Sequence, residues 1–287
     1  MKQNLLERIG LYLLKGGFTI KSLTRTSFDI IARKGSLILL LKILEDANAI
    51  NEEHAREMER VASYINGSPL IIAEKAGDRL QDNVVYSRFG INTLNFTTFK
   101  NCVEKRFPFV KRDHSGLKAR LIGRKLKMLR EEEGVSLGDI ARKTGVSKRM
   151  ILKYEAGECE ITIKRALKIY KVFGNSVFDK INVFQSSGRL EHCTRSDIAK
   201  KYSELGFDTL QTKKTPFDIM AKREKELILT QVGDKTKPGF EGLSSLVDAD
   251  RLVIFKKKKP KDIPAMTKEE FMEFERASEL IKFLREF

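Results

Sequence analysis

Residues 123–173 read GRKLKMLREEEGVSLGDIARKTGVSKRMILKYEAGECEITIKRALKIYKVF, and their spacing sets a small unit of four or five helices in mid-chain. Leu126, Leu129 and Arg130 share one face of a first helix. Gly134 ends it, because glycine tolerates the left-handed conformation that closes a last turn. Ser136 opens a second helix, and Asp139 three residues on completes a capping box. Ile140 and Ala141 turn inward, and the small Ala141 lets two helices cross closely. Gly145 makes the next turn, Val146 plugs it and Ser147 caps a third helix. That helix carries Met150, Ile151 and Tyr154 inward and leaves Lys148, Arg149 and Lys153 on its outer side.

This pattern closely resembles the Cro/repressor type of helix-turn-helix. Its fixed points are Ser136, Ala141, Gly145-Val146-Ser147, Ile151 and the closing Glu155-Ala156-Gly157. The resemblance implies that the helix from Ser147 to Glu155 enters the major groove of double-stranded DNA. Lys148 and Arg149 would then reach base edges or phosphates, and Lys153 would touch the backbone. Ser136 and Ser147 complete the set expected at DNA. The resemblance also pairs Arg130 with Glu155. One position departs from it. Many members have Gln after the first cap as a phosphate contact, and here stands Leu137. Such units generally bind as dimers, because one short helix reads few base pairs, so a homodimer is expected.

At 287 residues, two or three domains are expected. Lys and Arg total 55 against 39 Asp and Glu, a net charge of +16, which favours nucleic acid or an anionic surface as partner. A merely solvated basic surface is the plainer alternative. Cys102, Cys159 and Cys193 are far apart, with only His54, His114 and His192 beside them, so no zinc site is expected. Free thiols point to a reducing cytosol. No leader or membrane-length apolar run is visible, so a cytoplasmic protein without cofactor or membrane partner is expected.

Ahead of the helical unit, a leucine and isoleucine stripe predicts a helix from Asn4 to Lys15. Strands are predicted around Phe28–Ala32 and Leu37–Ile43, then a helix over Glu52–Ile65 and strands at Leu70–Ala73 and Val84–Tyr86. Thr97 is expected to cap a short last helix. This order gives an α/β domain over residues 1–110. Phe107-Pro108 and Lys111-Arg112 read as a linker, and Asp113–Gly116 as a tight turn. The helix-turn-helix domain is placed at 111–182, with a second linker at Gln185–Gly188.

Residues 183–287 repeat the beginning. Gly17-Phe18 returns as Gly206-Phe207, and Phe28-Asp29-Ile30-x-Ala32 as Phe217-Asp218-Ile219-x-Ala221, always 189 positions later. Leu40 and Ile43 fall without a gap on Leu229 and Val232. Duplication is the expectation, with a more polar, degenerate second copy that ends in a long helix from a Thr267–Glu270 capping box to Phe287.

The first copy resembles the restriction-endonuclease-like fold, archaeal Holliday-junction resolvases in particular. That resemblance implies a helix bearing Glu, a strand with Asp and a strand with Glu-x-Lys, which together hold a divalent metal. Glu7, Asp29 and Lys42 stand at three of these positions, but the Glu position is Leu40, which offers no oxygen ligand. In the second copy Asp218 remains while the pair has become Leu229-Thr-Gln231. Glu7, Asp29, Lys42 and Asp218 are therefore read as vestigial, with no metal and no catalysis. Cleavage through a migrated carboxylate, Glu45 or Asp46, stays open as an alternative.

Taken together, FDIIARKG near the start and SLGDIARKTGVSKRMILKYEAG in the middle resemble a family of archaeal helix-turn-helix transcriptional regulators. The expectation is a multidomain α/β plus all-α protein: a repressor-type bundle between two restriction-endonuclease-like domains. Its expected function is sequence-specific regulation of transcription, with the flanking domains serving dimerisation or sensing. A structure-selective nuclease and a non-specific architectural protein are the alternatives.

Overall fold

The first turns of the chain follow directly from its apolar spacing. In a computed structural model that describes residues 2–185 and 196–287, α1 (Lys2–Lys15) buries Leu5, Ile9 and Leu13 and leaves Leu11 and Leu14 exposed. The chain continues through β1 (Thr19–Ser22), β2 (Ile30–Lys34), β3 (Leu37–Asp46), α2 (Glu52–Tyr64), β4 (Ser68–Ala76), β5 (Asp78–Arg79), β6 (Val84–Arg88), β7 (Ile91–Leu94) and α3 (Phe96–Val103). Next come β8 (Val110–Asp113), β9 (Gly116–Ala119), α4 (Gly123–Glu132), α5 (Leu137–Thr144), α6 (Lys148–Glu155), β10 (Ile161–Thr162) and α7 (Ile163–Phe173). The last third holds α8 (Asp197–Glu204), β11 (Asp208–Gln211), β12 (Ile219–Arg223), β13 (Glu226–Val232), α9 (Phe240–Leu246), β14 (Asp250–Phe255), β15 (Ala265–Thr267), α10 (Lys268–Glu273) and α11 (Ala277–Arg285). The protein is thus a multidomain α/β molecule with a helical bundle inserted.

Two compact units divide the chain. One gathers residues 1–45, 49–71 and 184–287, and the other residues 46–48 and 72–183. The first unit holds the second α/β copy and the opening part of the first, up to residue 71, and the strand registers of the two match. Ile20 lies opposite Ala32 in β1–β2, and Thr209 opposite Ala221 in β11–β12. Ala32 lies opposite Leu39 in β2–β3, and Ala221 opposite Ile228 in β12–β13. Each residue of the second set stands 189 positions after its counterpart. A register slip of one residue would exchange the two faces of a strand, so this agreement puts equivalent side chains on equivalent faces in both copies. Phe28 and Phe217 are each fully buried. The second copy continues with β13–β14–β15 in parallel, and its core joins Tyr202, Phe207, Leu252, Phe271 and Leu280.

The two copies contact each other reciprocally. Arg33, at the end of β2, donates from Nη1 to the Leu246 carbonyl at 2.8 Å and pairs with Asp248 at 2.5 Å. Lys222, the equivalent residue of β12, donates from Nζ to the Tyr64 carbonyl at 2.7 Å. Leu246 and Tyr64 are the last residues of α9 and α2. A cation from each copy therefore meets the carbonyl end of the other copy's helix, where the helix dipole is negative.

Several sequence expectations change. Lys111-Arg112, expected as linker, lie in a strand of the β8–β9 hairpin, whose turn is the one expected at Asp113–Gly116, with Asp113 Oδ1 accepting the Ser115 N–H at 2.8 Å. β9 also pairs with β10, and Ile122 N donates to Val177 O at 2.8 Å, so hydrogen bonds tie the helical bundle to this sheet. Charge along Val110–Asp113 had hidden its strand character. Asn95, not Thr97, caps α3 and accepts the Thr98 N–H at 2.8 Å. The expected long C-terminal helix is two helices. Phe274 leaves the helical conformation and lies with its ring 6.4 Å from those of Phe271 and Phe283. The Glu279 carboxylate then caps α11 by accepting the Glu275 and Arg276 N–H groups. Of the linker expected at Gln185–Gly188, all but Gln185 lies outside the described residues, as do His192 and Cys193.

Candidate nucleic-acid interface

The helix-turn-helix is built from short local commitments. Ser136 takes an extended conformation and its Oγ accepts the Asp139 N–H at 3.1 Å, while Asp139 Oδ2 accepts the Ser136 N–H at 3.3 Å. This is the expected capping box. Gly145 closes α5 at φ +71°, and its N–H and that of Val146 both reach the Ala141 carbonyl. Ser147 then caps α6 by accepting the Met150 N–H at 3.2 Å. Each cap satisfies donors that a helix start would otherwise leave open.

Packing orients α6. Ile151 and Tyr154 are buried in a core with Leu126, Ile140, Ala141, Ala166 and Ile169. Leu137, at the position where the resemblance implies a polar phosphate contact, packs half-buried against that core instead. Arg130 Nε lies 2.6 Å from Glu155 Oε1, and Arg130 Nη2 lies 3.2 Å from Oε2, a two-point ion pair in a nearly dry setting. Gly123 begins α4 against the end of α6, where an added methyl carbon would sit only 2.2 Å from the Glu155 carbonyl oxygen.

The outer side of α6 carries three cations beside the exposed Leu152. Lys148, Arg149 and Lys153 are all exposed, as are the two capping serines, Ser136 and Ser147. Two neighbours escaped the sequence reading. Gly138 leaves room for the Lys148 stem, which would come within 3.3 Å of a methyl there. Lys168 of α7 brings its Nζ beside the Gly145 turn, 3.7 Å from where a methyl on Gly145 would sit. Only the fold brings Lys168 to that turn, so its sequence position gives no signal.

The nuclease-like positions are arranged differently from a metal centre. Asp29 is buried, its Oδ2 accepting the Ile43 N–H at 2.7 Å and its Oδ1 3.5 Å from Lys42 Nζ. Lys42 also donates to the Thr26 carbonyl at 3.0 Å. Leu40 is fully buried, and a methyl on Gly67 would meet its Cδ1 at 2.7 Å. Glu7 is exposed on α1 and accepts from Gln3 at 3.1 Å. Among the described residues no three carboxylate, thiol or imidazole side chains form a metal-binding group. These side chains do not fit the divalent ion that such a fold implies, because a hard cation needs several oxygen ligands converging on one point.

The second copy replaces the lost lysine in a way the sequence did not reveal. Gln231 stands where Lys42 stands in the first copy. Its amide donates to the Lys235 carbonyl at 2.6 Å and its oxygen accepts the Lys237 N–H at 3.2 Å. The loop so held returns Lys237 Nζ to Asp218 at 2.5 Å, while Asp218 also accepts the Val232 N–H. The ion pair survives although its lysine comes from another segment.

A capped, cation-faced helix locked over a repressor-like core defines a helix-turn-helix protein of the DNA-binding class. Comparison with known families agrees: residues 2–108 match the PD-(D/E)XK superfamily domain and residues 126–179 match a helix-turn-helix family. Proteins named "Putative HTH-type transcriptional regulatory protein" are similar over most of the chain. One from Methanobrevibacter smithii is 32% identical, covering 99% of this chain and 97% of its own. One from Methanospirillum hungatei is 34% identical over 74% and 71%, and one from Archaeoglobus fulgidus 29% over 98% and 97%. The chain belongs to this family of archaeal HTH-type transcriptional regulatory proteins. No solved structure matches. Among the described residues no helix is long and apolar enough to cross a membrane.

Proposed function

We propose that the protein is a sequence-specific transcriptional regulator that reads the major groove of duplex DNA with α6. The observation that carries this reading is the division of α6 itself. Ile151, Tyr154 and Glu155 are locked inward, while Lys148 and Arg149 on the capped, electropositive first turn and Lys153 in the last turn are offered to solvent. Arg149 is the residue best suited to a bidentate contact with a guanine edge. Lys148 and Lys153 suit phosphates, and Ser136 and Ser147 sit where hydroxyls can add to backbone contacts.

The flanking α/β copies act as catalytically inactive support, with Glu7, Asp29, Lys42 and Asp218 as remnants. Domain limits at 110 and 182 are kept as functional divisions. A cytoplasmic homodimer is the proposed working form. Because Arg33 and Lys222 spend one face of each copy on pairing within the chain, the dimer contact is assigned to another surface. Selection of bound duplexes from a random pool tests the whole reading. A shared motif after several rounds is expected, and a pool that stays random would leave an architectural protein instead.

A further inference from the structure

We propose that the second copy carries its own duplex-DNA contact, a lysine loop at 256–261 that grips the phosphate backbone without reading sequence. It rests on the reading that the chain binds duplex DNA. The loop reads KKKKPK, and Lys256, Lys257, Lys258, Lys259 and Lys261 are all exposed. It leaves the carboxyl end of β14 beside the loop that follows β13, where Gly233 N donates to the Ile254 carbonyl at 2.9 Å.

A run of lysines alone would be an ordinary solvated face, but this one is held. Asp234 Oδ1 accepts the backbone N–H groups of Lys256, Lys257 and Lys258 at 2.8, 2.9 and 3.3 Å. Those bonds, from Lys257 and Lys256 first, keep the carboxyl below its ordinary range, so it stays ionised at neutral pH. The backbone donors that could have cradled a single anion are thus spent on the protein's own acid. What remains for a partner is a row of exposed ammonium groups on a pinned backbone, with part of the backbone ordering entropy already spent in folding. Ammonium groups are point charges without the planar fork that reads a base edge or a single phosphate by two bonds. A regularly charged polymer fits them better than one small anion, and duplex DNA is the polyanion a helix-turn-helix brings to the same chain.

Salt dependence tests this with the full-length protein. Binding to a random-sequence duplex would be measured over a range of NaCl for wild type, for Lys256→Gln/Lys257→Gln/Lys258→Gln, and for Lys200→Gln/Lys225→Gln/Lys282→Gln, which removes equal charge elsewhere on the same copy. Each phosphate contact contributes about 0.9 to the slope of log affinity against log salt. The loop variant is expected to lower that slope by about 2 to 3, with the control variant close to wild type. Equal slopes in all three proteins overturn the proposal, as does an equal fall in loop and control variants, which would mean net charge alone. A loop variant that keeps its DNA slope but loses binding to phosphatidylserine vesicles would overturn it in favour of a membrane surface. The selection experiment above fails or succeeds independently, because these lysines do not set motif preference. Thermal melting of each variant at the wild-type temperature excludes unfolding, since Asp234 bonds only to the loop backbone.

Discussion

Arg130 and Glu155 meet through two hydrogen bonds, 2.6 and 3.2 Å long, that join the end of the first helix of the bundle, α4, to the end of α6. The side chains are only 10% and 5% exposed. A pair so placed fixes the angle of α6 as well as its stability, because both bonds must form together.

Removing one partner leaves the other charge stranded. Glu155→Ala is therefore expected to cost about 3–5 kcal/mol in urea or thermal unfolding. Replacing both, as Arg130→Met with Glu155→Leu, should recover most of that loss. A Glu155→Ala protein as stable as wild type would show that the pair contributes nothing to the bundle.

Two glycines should answer differently to alanine. At Gly145 nothing crowds a methyl except the flexible Lys168 terminus, so the cost is the left-handed backbone, about 1–2 kcal/mol. At Gly123 the methyl would overlap backbone atoms of Glu155 and Tyr154. Because these are main-chain atoms at a helix end, Gly123→Ala should destabilise more than Gly145→Ala and weaken DNA binding. The reverse order in unfolding experiments would show that α4 moves away freely.

Much of this bundle was legible because its signals are local. A Ser-x-x-Asp cap and a Gly-Val-Ser turn act over short spacings, while the Arg130–Glu155 pair was legible only through the resemblance to repressor-type units. The repeat was legible through its constant offset, which the strand registers share. The β8–β9 hairpin was not, since Lys111, Arg112 and Lys118 mask the alternation that marks a strand. The break at Phe274 is decided by ring packing, and the recruitment of Lys237 to Asp218 by a loop whose course only the folded sheet determines. Reciprocal capping by Arg33 and Lys222 is tertiary and leaves no trace in spacing.

No metal-dependent cleavage of duplex, flap or four-way-junction DNA is expected. Leu40 fills the place of the second oxygen ligand, and Asp29 already receives the Ile43 N–H and the nearby Lys42 ammonium. Purified protein incubated with labelled substrates in Mg²⁺ and in Mn²⁺ should leave them intact. Cleavage that disappears in Asp29→Ala would place the protein among nucleases.

The central claim, that α6 reads sequence, is tested most directly by the ratio of affinities for the selected motif and for random DNA, measured at one salt concentration in wild type and Arg149→Ala. A bidentate base contact contributes about 1–3 kcal/mol of discrimination, roughly five- to 150-fold. The ratio is predicted to fall by that factor in Arg149→Ala while affinity for random DNA changes little. An equal loss on both DNAs, with the ratio unchanged, would contradict the claim and reduce Arg149 to a phosphate contact.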